Sequence, residues 1–149
     1  MKKIVIGILG FVMFFVGCAD KNADIQSSTT KENIEKVLLS KEKWKIHSYK
    51  INGATKVLAF DKENEFFMGF KDEQVFGVVG CNNFFGAYEI KGNEIKFANV
   101  GMTRKMCEPK MMEIESDLTK NLLNNTNRLE ILEDGKILVF SEKFYLLIQ

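Results

Sequence analysis

Three cysteines and one histidine are the side chains in this 149-residue sequence best suited to covalent, redox or metal chemistry. A thiol can accept a lipid, form a disulfide, ligate a metal or act as a nucleophile, and its surroundings decide which. Cys81 heads the stretch GCNNFFGAY, Cys107 closes TRKMC, and Cys18 stands far upstream. No CxxC pair occurs, so a dithiol redox motif is missing. His47, Cys81 and Cys107 show no ligand spacing, and a closed zinc site would need a fourth ligand. The chain has no G-x-S-x-G elbow, no phosphate loop and no H-E-x-x-H helix. Nothing in the sequence pairs His47 with a nucleophile and an orienting acid. Acidic residues are plentiful but interspersed with lysines, the pattern of a solvated surface. These features predict a protein that is not an enzyme and holds no metal or cofactor.

Cys18 takes its meaning from what precedes it. Lys2 and Lys3 lead an apolar run from Ile4 to Val16, then Gly17 and the cysteine. That is the layout of a bacterial secretory signal, and the run is shorter than the roughly 20 residues a membrane-spanning helix needs. The ending FVGC resembles a lipobox, with Gly17 at the small position and Phe15 where leucine is more usual. Residues 1–17 are therefore expected to be a cleaved signal peptide and Cys18 the lipidated first residue of the mature chain. An ordinary signal peptide or an uncleaved anchor is the plainer alternative. Ala19 rather than an aspartate follows the cysteine, which points to the outer membrane, facing the periplasm.

Removing Lys2 and Lys3 from the 21 basic residues leaves about 19 against 20 acidic ones, a nearly neutral chain. Only Arg104 and Arg128 are arginines. Nucleic-acid binding is therefore not expected. The expected partners are the membrane, reached through the N-terminal lipid, and an envelope protein or lipid. Cys81 and Cys107 then remain as an even pair in an exported chain, which reads as a disulfide. Two free buried cysteines, or a metal site shared with His47, remain as alternatives.

The elements that must position these residues follow from periodicity. The polar stretch 18–36 lacks aromatic residues and is expected to be a flexible tether; residues 37–149 form one domain. Alternation dominates that domain. Trp44 and Ile46 alternate with Lys45 and His47, and Phe66, Met68 and Phe70 share a face. QVFGVVG is nearly all apolar, as a strand covered on both faces would be. GAYEIKGNEIKF reads as a hairpin in which Tyr88 and Ile90 are answered by Ile95 and Phe97, with Gly92 in its turn. RLEILEDGKILVF reads as another, and KFYLLIQ as a closing strand. From Pro109 the period changes to that of a helix, with Met111, Ile114, Leu118 and Leu122 on one stripe. The segment 52–64 shows no distinctive pattern. The fold class expected is mainly β (α+β): about eight antiparallel strands with one amphipathic helix against the sheet.

GCNNFFGAYEIKGNEIKF, then MTRKMC, then a helix containing MEIESDL, together resemble the META domain family, whose members include HslJ-like heat-shock envelope lipoproteins. The likeness runs from about Trp44 to Gln149. It implies an open or cracked antiparallel β-barrel with one helix, similar in architecture to some secretin-pilot lipoproteins, and a role in stress or antibiotic tolerance without an agreed enzymatic activity. The spacing of Cys81 and Cys107 matches the family's cysteine pair, and Gly80, Asn82, Phe84, Gly86, Thr103 and Arg104 fall on its motif. From the residues themselves, Asn82 and Asn83 suit a turn, Gly80 and Gly86 a bulge or sheet corner, and Phe84 and Phe85 the core. Arg104 would pin its loop by donating to carbonyls or a carboxylate, or recognise an anionic partner. The combined expectation is a non-catalytic envelope lipoprotein with a structural or binding role. The alternative is a pilot or carrier that takes an acyl chain or a partner's helix into an apolar cavity.

Overall fold

A computed structural model describes residues 21–58 and 65–149, with side chains from residue 30 onward. Cys18 and the leader lie outside the described residues. The elements are α1 (Lys21–Leu38), β1 (Trp44–Ile51), β2 (Ala54–Val57), β3 (Phe67–Lys71), β4 (Gln74–Val78), β5 (Asn83–Lys91), β6 (Glu94–Met102), α2 (Pro109–Leu118), a π-helical turn (Thr119–Leu123), β7 (Thr126–Ile131), β8 (Ile137–Phe140) and β9 (Phe144–Ile148).

All strand pairings are antiparallel. From β3 to β9 each strand pairs with the next in sequence, with α2 inserted between β6 and β7, and β1 pairs with both β3 and β9, so eight strands close into a barrel with β2 added beside β1. The two halves of the wall meet at narrow seams: β1 and β3 share only the pairs Trp44–Met68 and Lys45–Phe67, and β6 meets β7 only through Glu94–Lys96. Closure leaves β2 as the edge strand, and it is short, one way sheets limit edge-to-edge association.

Period-two patterning dictates which side chains fill the barrel. Trp44, Ile46, Met68, Val75, Phe84, Ile90, Ile95, Leu129, Val139 and Leu146 all point into one buried core. Burying such a side chain fully is worth about 1.5–3 kcal/mol. The expected hairpin forms as β5 and β6, with Tyr88 opposite Phe97 and Ile90 opposite Ile95. β4 departs from expectation. Its inward residues Val75 and Gly77 are buried, whereas Phe76 and Val78 are half-buried on the outer face.

Helix α2 begins at Pro109 as predicted, with Ile114 and Leu118 buried, and the stripe continues through Leu122 and Leu123 of the π-helical turn. The stretch expected to be a flexible tether is helical from Lys21, and its last turns bury Ile34 and Leu38. The Trp44 indole N–H donates to the Leu38 carbonyl at 2.8 Å, occupying one of the acceptors a helix end leaves open. Mean polarity concealed this contact, because two apolar residues four apart are enough to seat one helix face. Among the described residues no helix is long and apolar enough to cross a membrane.

Candidate functional site

The sequence motif residues converge at the end of the barrel where β4 turns into β5 and β6 leads into α2. Cys81 and Cys107 form a disulfide there, with Cα atoms 6.0 Å apart. This pairing displaces the free-thiol and metal-site readings. His47 lies on β1, where the register with β9 shifts between Ile46 and Ser48. Among the described residues no group of three or more His, Cys, Asp or Glu side chains is placed to hold a metal.

Asn82 is the centre of the junction and is 1% exposed. Its Nδ2 donates to both Glu115 carboxylate oxygens, at 3.1 and 3.0 Å, and to the Lys105 carbonyl at 3.3 Å. Its Oδ1 accepts from the Thr103 hydroxyl at 2.8 Å and the Lys105 N–H at 2.7 Å. Glu115 Oε2 also accepts the backbone N–H groups of Cys81 and Asn82, at 3.2 and 2.8 Å. A carboxylate receiving several N–H groups makes charge-assisted bonds, stronger than neutral ones. Thr103 completes the weave, its Oγ1 accepting from the Asn83 N–H at 3.1 Å. Its hydroxyl is thus held by an amide rather than activated by a base.

Gly80 allows helix and turn to meet this closely. Its φ is +105°, and a Cβ there would lie 2.7 Å from Cβ of Glu115 and 2.8 Å from the Met111 carbonyl. Phe84, 1% exposed, points into the core beneath the junction. Gly86 stands apart, facing the bulge at which β6 places Asn99 and Val100 against one residue of β5.

Arg104 corrects one expectation. It is exposed and makes no hydrogen bond or ion pair with any described residue. The pinning expected of it is done by Asn82, Thr103 and Glu115. Met106, two residues on, is 97% exposed. The segment therefore holds a cation and a thioether in solvent on a loop fastened by the Asn82 junction before it and the disulfide after it. Beside the loop, Phe67, Val78, Cys81, Cys107 and Met111, together with the acidic residues Glu65 and Glu108, line a surface depression of about 570 Å³.

A second polar group fastens the other side of α2. Lys56 of β2 donates to Glu113 at 2.6 Å and Asp117 at 2.8 Å, and the Tyr49 hydroxyl donates to Asp117 at 3.0 Å. Burial, reinforced by that bond, pushes the Tyr49 phenol up to about 12. Hydrogen bonds to Asp117 and Glu113 raise the Lys56 ammonium above its ordinary value. Sequence reasoning missed Glu115, Tyr49, Lys56 and Asp117 as junction residues, because their partners lie 33 to 68 positions away.

The META domain family model matches residues 37–144. No match was found among curated proteins. Among solved structures, a solution structure of a protein from Burkholderia xenovorans is 18% identical with a TM-score of 0.63, covering 75% of this chain and 83% of that one. A second solution structure is 21% identical with a TM-score of 0.59, covering 74% and 90%. A lipocalin-like protein from Bacteroides uniformis is 16% identical with a TM-score of 0.49, covering 75% and 97%. The first two likenesses establish the barrel fold.

Proposed function

This chain belongs to the META domain family, and from that premise we propose that it is a non-catalytic binding module tethered in the bacterial cell envelope by lipid on Cys18. FVGC and the apolar leader support the tether; Ala19 after the cysteine supports an outer-membrane location facing the periplasm. Several acyl chains on one residue would anchor the domain without its touching the bilayer, at about 0.8 kcal/mol per buried methylene.

The observation that supports binding most directly is the loop Thr103–Cys107. Disulfide and hydrogen bonds fasten its base, yet Arg104 and Met106 are left in solvent. A loop already ordered loses little entropy on binding, and a guanidinium beside an adaptable thioether suits an anionic group next to an apolar surface on an envelope partner. The non-catalytic reading rests on the use of the junction's acid, hydroxyl and amide groups as structural ties. Large side chains, Trp44, Tyr49, Phe84 and Phe144 among them, fill the barrel interior, so the acyl-carrier alternative has no observation in its favour.

Complementation tests this reading. A deletion strain is expected to become more sensitive to envelope stress, such as detergent or antibiotic, and the wild-type gene to restore tolerance. Cys18→Ser, and separately Arg104→Ala with Met106→Ser, are expected to fail at wild-type abundance. Full rescue by both variants would overturn the proposal.

A further inference from the structure

The outer wall of the barrel, away from the disulfide, holds an arrangement that the proposed function does not use. Phe85 was expected in the core but is 62% exposed. Its ring lies against Gly101 across the strand pair: a Cβ on Gly101 would stand 2.8 Å from the ring's Cζ. The absent side chain lets the ring lie down on the sheet, with its other face turned to solvent. Phe85, Gly86 and Ala87 form the floor and wall of a depression of about 260 Å³, and the amides of Gln74 and Asn99 border it.

Asn99 is held there by the bulge in β6, with φ +53°. A non-glycine residue in the left-handed region is uncommon, and bulges often re-aim a side chain beside a functional site. Asn99 also lines a second depression of about 390 Å³, together with Asn124 and Thr126. Neither the Gln74 nor the Asn99 side chain hydrogen-bonds any described residue. Among the described residues no carboxylate lines either depression, and Lys96 is their only charged residue.

We infer that these two depressions form one binding site for a neutral oligosaccharide, with Phe85 as the stacking platform and Asn99 as the wall shared by successive sugar rings. An aromatic face suits the C–H face of a pyranose, and neutral amides supply both donors and acceptors to its hydroxyl groups. Within the two depressions a cationic ligand would meet no counter-charge from the described residues and an anionic one only Lys96; Glu89 and Glu94 line the neighbouring depression that shares Lys96 and Thr126.

The test is an amide chemical-shift titration of the full-length chain in micelles with three tetramers: N-acetylglucosamine, glucose and, as acidic control, galacturonate. At least one neutral tetramer is expected to shift the signals of Gln74, Phe85, Gly86, Asn99 and Asn124 in one saturating curve. Phe85→Ala is expected to weaken that binding about tenfold, equivalent to about 1.4 kcal/mol. Phe85→Tyr should retain it, whereas Asn99→Gly, which keeps the backbone but removes the amide, should weaken it several-fold. The inference is overturned if neither neutral tetramer shifts these signals up to about 20 mM, a bound on very weak association. It is equally overturned if Phe85→Ala binds as the wild type does, or if the galacturonate tetramer binds more tightly than both neutral ones.

Discussion

Asn82 is a buried polar side chain whose donors and acceptor are all engaged. Removing it takes hydrogen bonds from Glu115, Thr103 and the Lys105 N–H together, and a hydrogen bond to a charged group such as the Glu115 carboxylate is worth about 1.5–3 kcal/mol. Asn82→Ala is therefore expected to lower the unfolding free energy by at least about 2 kcal/mol, whereas Arg104→Ala changes it by less than about 0.5, the range of surface substitutions. Urea denaturation of the two variants checks this contrast; an equal loss would mean that Arg104 has a structural partner. Tyr49 gives a second prediction. An ordinary phenol ionises near pH 10, and the folded Tyr49 only near 12. The stability owed to its protonated form is thus intact below pH 10 and lost as pH climbs to about 12. Denaturation midpoints measured across that window should fall more steeply in the wild type than in Tyr49→Phe. At this scale the sequence announced Asn82 as a turn residue but not its neighbours, since Glu115 looks like any solvent-facing position on an amphipathic helix.

Helix α2 is held from three directions: its apolar stripe, the Glu115–Asn82 bonds and the Lys56 and Tyr49 contacts. The Cys81–Cys107 bridge closes a loop of 26 positions, for which chain entropy predicts about 3–4 kcal/mol of stabilisation. Because hydrogen bonds tie the same two loops, reduction should lower the melting temperature without unfolding the domain. Circular dichroism and thermal melts with and without reductant check both halves; loss of the native spectrum on reduction would show that the Asn82 junction cannot hold alone. α2 was legible because Pro109 and four apolar residues at helical spacing all agree. β2 was not, since its exposed residues leave no alternation to detect. β4 reads as doubly covered, and the error has a physical source: Phe76 rests over Gly69, where a Cβ would come within 2.3 Å of its ring. A glycine-backed ring on an outer wall has the same local sequence as a ring in a core.

For the whole molecule, closure through β1 and β9 removes most sheet edges, and the two docked helices lie against a barrel whose interior is already filled. The proposed attachment to a membrane would rest on Cys18, so the intact mass of protein purified from its native membrane is expected to show loss of residues 1–17 and acylation of Cys18. An unmodified Cys18 would return the leader to an ordinary signal peptide. By itself the sequence determined the strand class, the two hairpins with their turn residues and the start of α2. Those depend on neighbours within a few residues, where alternation, turn residues and helical spacing act directly. Only the tertiary structure decided the Asn82–Glu115 junction, the docking of α1, the exposure of Arg104 and the outward face of Phe85. Each depends on which distant backbone or side chain fills the space beside a residue, and local periodicity is the same whether that space holds protein or water.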